Sequence, residues 1–229
     1  MRYCWVLVPL MLGACNSDEY IEPVEVVVKT SFIEGENLWQ AGFSDYPVDD
    51  KNIFQLVTGI KEIPGQTDKK GYLLGGMNRS DDLFMYLKRE VTGLAPNTRY
   101  QITVEVDFWS EVGNVCFGIG GSPGESVYVK AGASEQEPKQ DEYYMNIDIG
   151  HQSQDGSDAK VIGNISIDGL SCDGGEFASK QVKLSTDAEM EVVSSPTGEV
   201  WVLVGSDSGF EGLTHLYYES VNFKLTPSS

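Results

Sequence analysis

Basic residues are scarce in this 229-residue chain: 16 Lys and Arg stand against 35 Asp and Glu, a formal net charge of −19. Nucleic acid and anionic membrane surfaces both select positive charge, so both are poor partners. Histidine is nearly absent, which leaves His151 and His215 as the imidazole bases for any proton transfer. Helical periodicity is nearly absent too; Ser185 to Met190 alone has room for a turn or two. No repeat is present, and no linker-like break follows Glu25, so a single domain is expected. Nor is there an apolar run of the roughly 20 residues that a spanning helix needs.

The one long apolar stretch, Tyr3 to Leu12, follows the positive charge of Arg2 and runs into Leu12-Gly13-Ala14-Cys15. A short apolar core behind a positive start, ending in small residues, is the pattern of a cleavable signal peptide. Leu12-Gly13-Ala14-Cys15 resembles the bacterial lipobox. That resemblance implies cleavage before Cys15, acylation of its thiol, and a lipid bilayer as the partner of the acylated residue. Two or three acyl chains anchor stably where one holds only marginally. Asn16, rather than Asp, follows the cysteine, which by the same resemblance implies the outer membrane of a two-membrane cell envelope. Residues 15–25 then read as an acidic, Pro-containing tether, and 26–229 as the folded domain. Removing the first 14 of the 229 residues leaves 215.

Of four cysteines, Cys4 leaves with the signal and Cys15 carries lipid. Cys116 and Cys172 remain. In an oxidising compartment they are a candidate disulfide; two buried free thiols are the alternative, since unpaired cysteine packs as a small hydrophobe.

Strand patterns dominate the rest. In Tyr100 to Trp109, Ile102, Val104, Val106 and Phe108 alternate with Gln101, Thr103, Glu105 and Asp107, which puts one face on a core and the other in water. Val24–Ser31, Leu83–Glu90, Ser126–Ala131, Lys160–Ile167, Glu199–Val204 and Leu216–Leu225 are further strands, separated by Gly, Asn, Asp and Pro. Many antiparallel strands at this spacing indicate an all-β sandwich or jelly roll. Phe32-Ile33-Glu34-Gly35 with Trp39, and the closing run Leu216 to Leu225, resemble the two ends of carbohydrate-binding jelly rolls with a galactose-binding-like fold. The blocks Asn78 to Lys88 and Gly118 to Ser134 resemble uncharacterised bacterial lipoproteins, a likeness that implies no activity.

The galactose-binding-like resemblance implies a structural Ca²⁺ held by Glu34 and Glu219. By parity Glu219 shares a face with Val221, Phe223 and Leu225, where a carboxylate needs a partner. An Arg or Lys partner, or partial exposure, is preferred over the metal. Gly120-Gly121-Ser122-Pro123-Gly124 fits the pattern of a nucleophile elbow, but a strand pattern follows it where a helix is needed, so a glycine-rich hairpin is expected. Arg79-Ser80-Asp81, Gln101-Ile102-Thr103 and Tyr128-Val129-Lys130-Ala131-Gly132 resemble, in order, motifs of alginate-lyase jelly rolls. Thr103 stands where that family has its His, so β-elimination lacks a base. Asp148 to Asp158 holds three acids and His151 but lacks EF-hand spacing, and is expected to be a solvated loop.

The binding candidates are aromatics on polar faces: Trp109; Tyr128 beside Lys130; and Tyr218 with the parity of Ser220, Asn222 and Lys224. A flat ring stacks on the C–H face of a sugar while neighbouring polar groups take its hydroxyls. These residues lead to the expectation of a lipid-anchored, non-enzymatic module of the cell envelope that binds a polysaccharide. A polysaccharide lyase or hydrolase, and an assembly lipoprotein that binds another envelope protein, are the alternatives.

Overall fold

A computed structural model describes residues 21–34, 38–79, 82–185 and 189–228. Among them the strands are β1 (Val26–Ser31), β2 (Gln40–Ser44), β3 (Val57–Glu62), β4 (Lys70–Met77), β5 (Phe84–Val91), β6 (Arg99–Ser110) and β7 (Val127–Ser134). There follow β8 (Gln140–Asp141), β9 (Tyr144–Met145), β10 (Ala159–Asn164), β11 (Ala178–Lys183), β12 (Glu191–Val193), β13 (Val200–Ser208) and β14 (Leu213–Pro227). Short 3-10 turns occupy Phe32–Glu34 and Val48–Phe54. Residues 186–188, half of Ser185 to Met190, fall outside the described residues, as do Cys15, Ser80, Asp81 and the side chain of Glu34.

Strands β8 and β9 pair with each other, and the remaining strands make two antiparallel sheets. One runs β11-β6-β14-β4-β3, with β1 added along β14 and β12 along β6; the other runs β10-β7-β13-β5-β2. The chain crosses between these sheets at β1–β2, β2–β3, β4–β5, β5–β6, β6–β7, β10–β11, β12–β13 and β13–β14. The quartets β4-β14-β6-β11 and β5-β13-β7-β10 therefore have the strand order of a jelly roll. The all-β antiparallel sandwich read from the sequence is the observed fold.

The alternation in β6 is what places its residues. Tyr100, Ile102, Val104, Val106 and Phe108 are buried in the inter-sheet core with Val202, Val204, Val129, Leu87 and Phe223. Gln101, Thr103 and Glu105 point the other way, into solvent. Strand β4 has no such alternation, because glycines replace side chains where a neighbour's ring crosses the backbone. A Cβ at Gly75 would lie 2.3 Å from the His215 ring. Gly42 in β2 lies under Tyr86 in the same way, at 2.3 Å.

Strand β14 contains the feature that most affects the functional reading. Its register with β6 shifts between Tyr218 and Ser220, so Glu219 is the extra residue of a β-bulge. A bulge reverses facing beyond the inserted residue. Leu216 and Tyr218 therefore point into the core on one side of it, and Val221, Phe223 and Leu225 on the other.

Candidate functional site

The two outer faces of the sandwich differ. Over the five-stranded sheet, Phe84, Tyr86 and Leu203 are buried beneath Met145, Ile147 and Ile149. Ion pairs and hydrogen bonds hold this 135–158 cover in place. Lys88 Nζ reaches Glu137 at 2.6 Å and donates to Pro138 O at 2.8 Å. Lys130 Nζ pairs with Asp207 at 2.9 Å and donates to the carbonyls of Ile149 and Gln154 at 2.8 and 3.2 Å. Asp207 also accepts from Gln152 N at 2.8 Å. Burial pushes the Asp207 carboxyl up, and the Lys130 ammonium beside it opposes the push.

Lys130 is thereby corrected as a ligand contact: it is wholly buried, and the groups it bonds are the pins of a loop. Tyr128 lies on this face, half-buried, in register with Asp207 and Asn164. Arg79 Nε donates to Ile53 O at 2.9 Å. With Lys130 sealed, Arg79, Tyr128 and Lys130 form no open catalytic groove.

Beside this cover, Asp45 has a left-handed backbone (φ 62°). Its amide donates to Tyr143 O at 2.8 Å, and Ser44 Oγ donates to its carboxylate at 2.6 Å. Burial, with Asp207 and Asp82 as like-charged neighbours, raises its pKa to about 6. Asp82 in turn meets His151 Nε2 at 2.8 Å.

The acidic loop 148–158 uses its carboxylates on its own backbone. Asp148 accepts from Gly150 N and Ser157 N at 3.0 and 2.8 Å, contacts that hold its pKa below the usual carboxylate range. Asp158 accepts from Asp148 N at 2.8 Å, and Asp155 from Val161 N at 2.8 Å. Among the described residues no group of three His, Cys, Asp or Glu is arranged to hold a metal. Ser122 is likewise a turn residue: its hydroxyl accepts from Glu125 N at 3.2 Å. Of the two histidines, His151 is bonded to Asp82 and His215 lies over Gly75.

Among the described residues the outer face of the seven-stranded sheet has no such cover. At one end Trp109, Tyr217, Phe177, Leu73 and Ile63 form a small cluster of their own. Trp109 does point away from the main core, as its parity requires. It is only 6% exposed, with Lys69 Nζ 4.3 Å from its ring centroid and its indole N–H on Glu219 Oε2 at 2.5 Å. Its ring is packed, not presented. Tyr218 is corrected as well: the bulge turns it inward, where it is wholly buried against Phe108. Trp109, Tyr128 and Tyr218 share no open face. Glu219, expected on the apolar face, lies on the opposite one.

Beyond that cluster the face opens into a groove of about 690 Å³ across β1, β14, β6 and β11. Gln101, Thr103 and Glu105 line its floor from β6, and Asn222 and Lys224 from β14. Val27 and Lys29 of β1, with Lys183 of β11, form its sides. The register explains the convergence: Lys183 and Asn222 flank Glu105 on either side, and Lys29 sits across from Asn222. Asp107 closes the end nearest Trp109, accepting from Gln181 Nε2 at 2.8 Å and Ser220 Oγ at 2.6 Å. Lys224 is paired with Glu25 at 2.7 Å; among the described residues Lys29 and Lys183 have no salt-bridge partner. The polar face of β6 was legible in sequence. The lysines were not, because the sheet order that brings β1 and β11 beside it is non-local.

Cys116 and Cys172 are joined, with Cα atoms 5.5 Å apart.

No family model matches the sequence, and no curated protein matches it either. Among solved structures, the chain is similar to the K1 adhesin domain of Lys-gingipain from Porphyromonas gingivalis W83. That match has 12% identity and a TM-score of 0.40, over 89% of this chain and 99% of that one. It is also similar to TmCBM27, a carbohydrate-binding module that recognises mannan, at 13% identity and a TM-score of 0.42, over 87% and 97%. Peanut lectin is a third, at 9% and 0.40, over 90% and 99%. Such distant likenesses leave ligand and activity to be argued from the chain's own residues.

Proposed function

We propose that this chain is a non-catalytic glycan-binding module, held at the cell envelope through acylated Cys15, and that its ligand lies in the groove over β6 and β14. The observation that carries the reading is the groove's composition on a rigid sheet. Amide, hydroxyl, carboxylate and ammonium groups stand side by side there, spaced by strand geometry, as a chain of sugar hydroxyls requires. Of its three lining lysines Lys224 is paired with Glu25, which leaves Lys29 and Lys183 beside one lining glutamate, Glu105, in a protein of net charge −19. That local reversal of sign favours a polysaccharide bearing carboxylates or sulfates over a neutral one. Affinity electrophoresis through gels containing alginate, pectate, xylan or mannan tests this. Retardation by an acidic polymer supports it, and free migration through all four contradicts it.

A further inference from the structure

The end of the sandwich where β6 runs out and β14 begins is built from three loops: 111–126, 165–177 and 209–212. They are tied together in several places. Asn114 N and Ile167 N bond across to Ile167 O and Val112 O at 3.3 and 2.8 Å, and Glu211 N donates to Ile119 O at 2.8 Å. The Cys116–Cys172 bridge joins the first two loops. Gly175 N reaches Glu111 Oε2 at 2.9 Å, and Asn114 Nδ2 reaches Asp168 Oδ1 at 2.9 Å.

From this braced base three apolar side chains project into water. Phe117 is 97% exposed, Ile119 72% and Val115 69%. Val115 has φ 59°, a conformation in which a β-branched residue is strained and persists only when its surroundings impose it. Its amide is held by Glu125 Oε2 at 3.2 Å. An unbraced loop would relax that strain and fold its apolar side chains inward. Here the framework holds them outward, which lowers the ordering cost of binding.

The three loops also carry Glu111, Glu125, Asp168, Asp173, Glu176 and Glu211, and no Lys, Arg or His. The nearby Lys180 is turned to Ser166 O and Asn164, at 2.7 and 2.9 Å. An apolar tip ringed by six carboxylates repels an anionic bilayer and attracts a basic surface. The topology agrees. Val26 pairs with Leu225, at the other end of β14 from this tip, about 45 Å of strand away. A chain tethered from its N-terminus carries the tip at its distal pole.

We infer that Val115, Phe117 and Ile119 are the anchor of a docking surface for a partner protein whose matching face is an apolar pocket rimmed by Lys and Arg. The inference is independent of the glycan groove, which lies elsewhere on the sheet.

The test places a photoreactive benzoylphenylalanine at position 117 of the full-length chain, with position 38, also exposed, as control. Both are irradiated in cells that make the protein. The expected result is a single protein adduct at position 117 and none at 38. The captured protein, once purified, binds the native chain with an affinity that falls as NaCl rises from about 50 to 500 mM. Phe117→Ser weakens that binding at least tenfold while leaving the melting temperature unchanged. Four results would overturn the inference: no adduct above the control, an adduct only with a second copy of the chain, Phe117-dependent sedimentation with phosphatidylglycerol vesicles, or an affinity indifferent to Phe117→Ser.

Discussion

Glu219 accepts the indole N–H of Trp109 at 2.5 Å, and it does so because a bulge places it on the outer face of the sheet rather than the inner one. The pair fixes the orientation of a tryptophan packed against Tyr217, Phe177, Ile63 and Leu73. Trp109 is therefore a structural residue. Trp109→Ala is expected to cost about 3–5 kcal/mol, as for other buried aromatics. Glu219→Ala, which leaves the indole donor unpaired in a nearly dry site, is expected to cost about 1–2 kcal/mol. Urea unfolding measures both. A Trp109→Ala protein as stable as the parent would show that the ring is not packed.

The buried Lys130–Asp207 pair gives a second test. Lys130→Met removes one charge and leaves the buried Asp207 carboxylate without its counter-ion, with an expected loss of about 3–5 kcal/mol. Adding Asp207→Asn to that variant removes the stranded charge and should recover part of the loss. A double variant less stable than Lys130→Met alone would contradict the pairing.

Asp45 makes stability depend on pH. Its carboxyl is raised from the ordinary Asp value to about 6, chiefly by burial. Between roughly pH 4 and 6 the folded chain therefore holds a proton here that the unfolded chain has lost. This group's contribution is present below the unfolded pKa and is lost as pH rises through the folded one. Asp45→Asn keeps an acceptor for Ser44 and tolerates the left-handed backbone. It is expected to raise the melting temperature more at pH 8 than at pH 4.5. A difference between variant and parent that does not change with pH would show that Asp45 titrates normally.

The disulfide spans 56 residues of sequence. Loop-closure entropy for a span of that size gives about 4 kcal/mol as an upper figure. Cys116→Ser with Cys172→Ser is expected to lower stability by about 2–4 kcal/mol, seen as a fall in melting temperature that the native chain reproduces only under reducing conditions. An unchanged melting temperature would mean that the bridge constrains nothing the fold does not already hold.

Strand β6 was legible from its alternation, and β13 and β14 from strand-forming runs set between turn residues; so was the sandwich they build. Strands β2 and β4 were not, because Gly42 and Gly75 stand where Tyr86 and His215 cross over them. Polar β11 and three-residue β12 are edge elements with little apolar signal. The site was harder to read than the fold for the same reason that parity arguments are fragile. One inserted residue, Glu219, exchanged the facing of everything on one side of it, so Tyr218 went to the core. Lys130 looked like an exposed contact because its three partners, Asp207, Ile149 and Gln154, are distant in sequence. The groove lysines come from strands far from β6 in sequence, brought there by sheet order.

The most direct test of the groove is calorimetric titration of the native chain and of a Lys29→Ala, Lys183→Ala double variant with the polysaccharide that retards the protein most. Both lysines are exposed, so folding should be unaffected. Saturable binding by the native chain, weakened at least tenfold in the double variant and by added salt, is the expected result. Equal binding by both proteins would place the ligand elsewhere, and no binding by either would end the glycan reading.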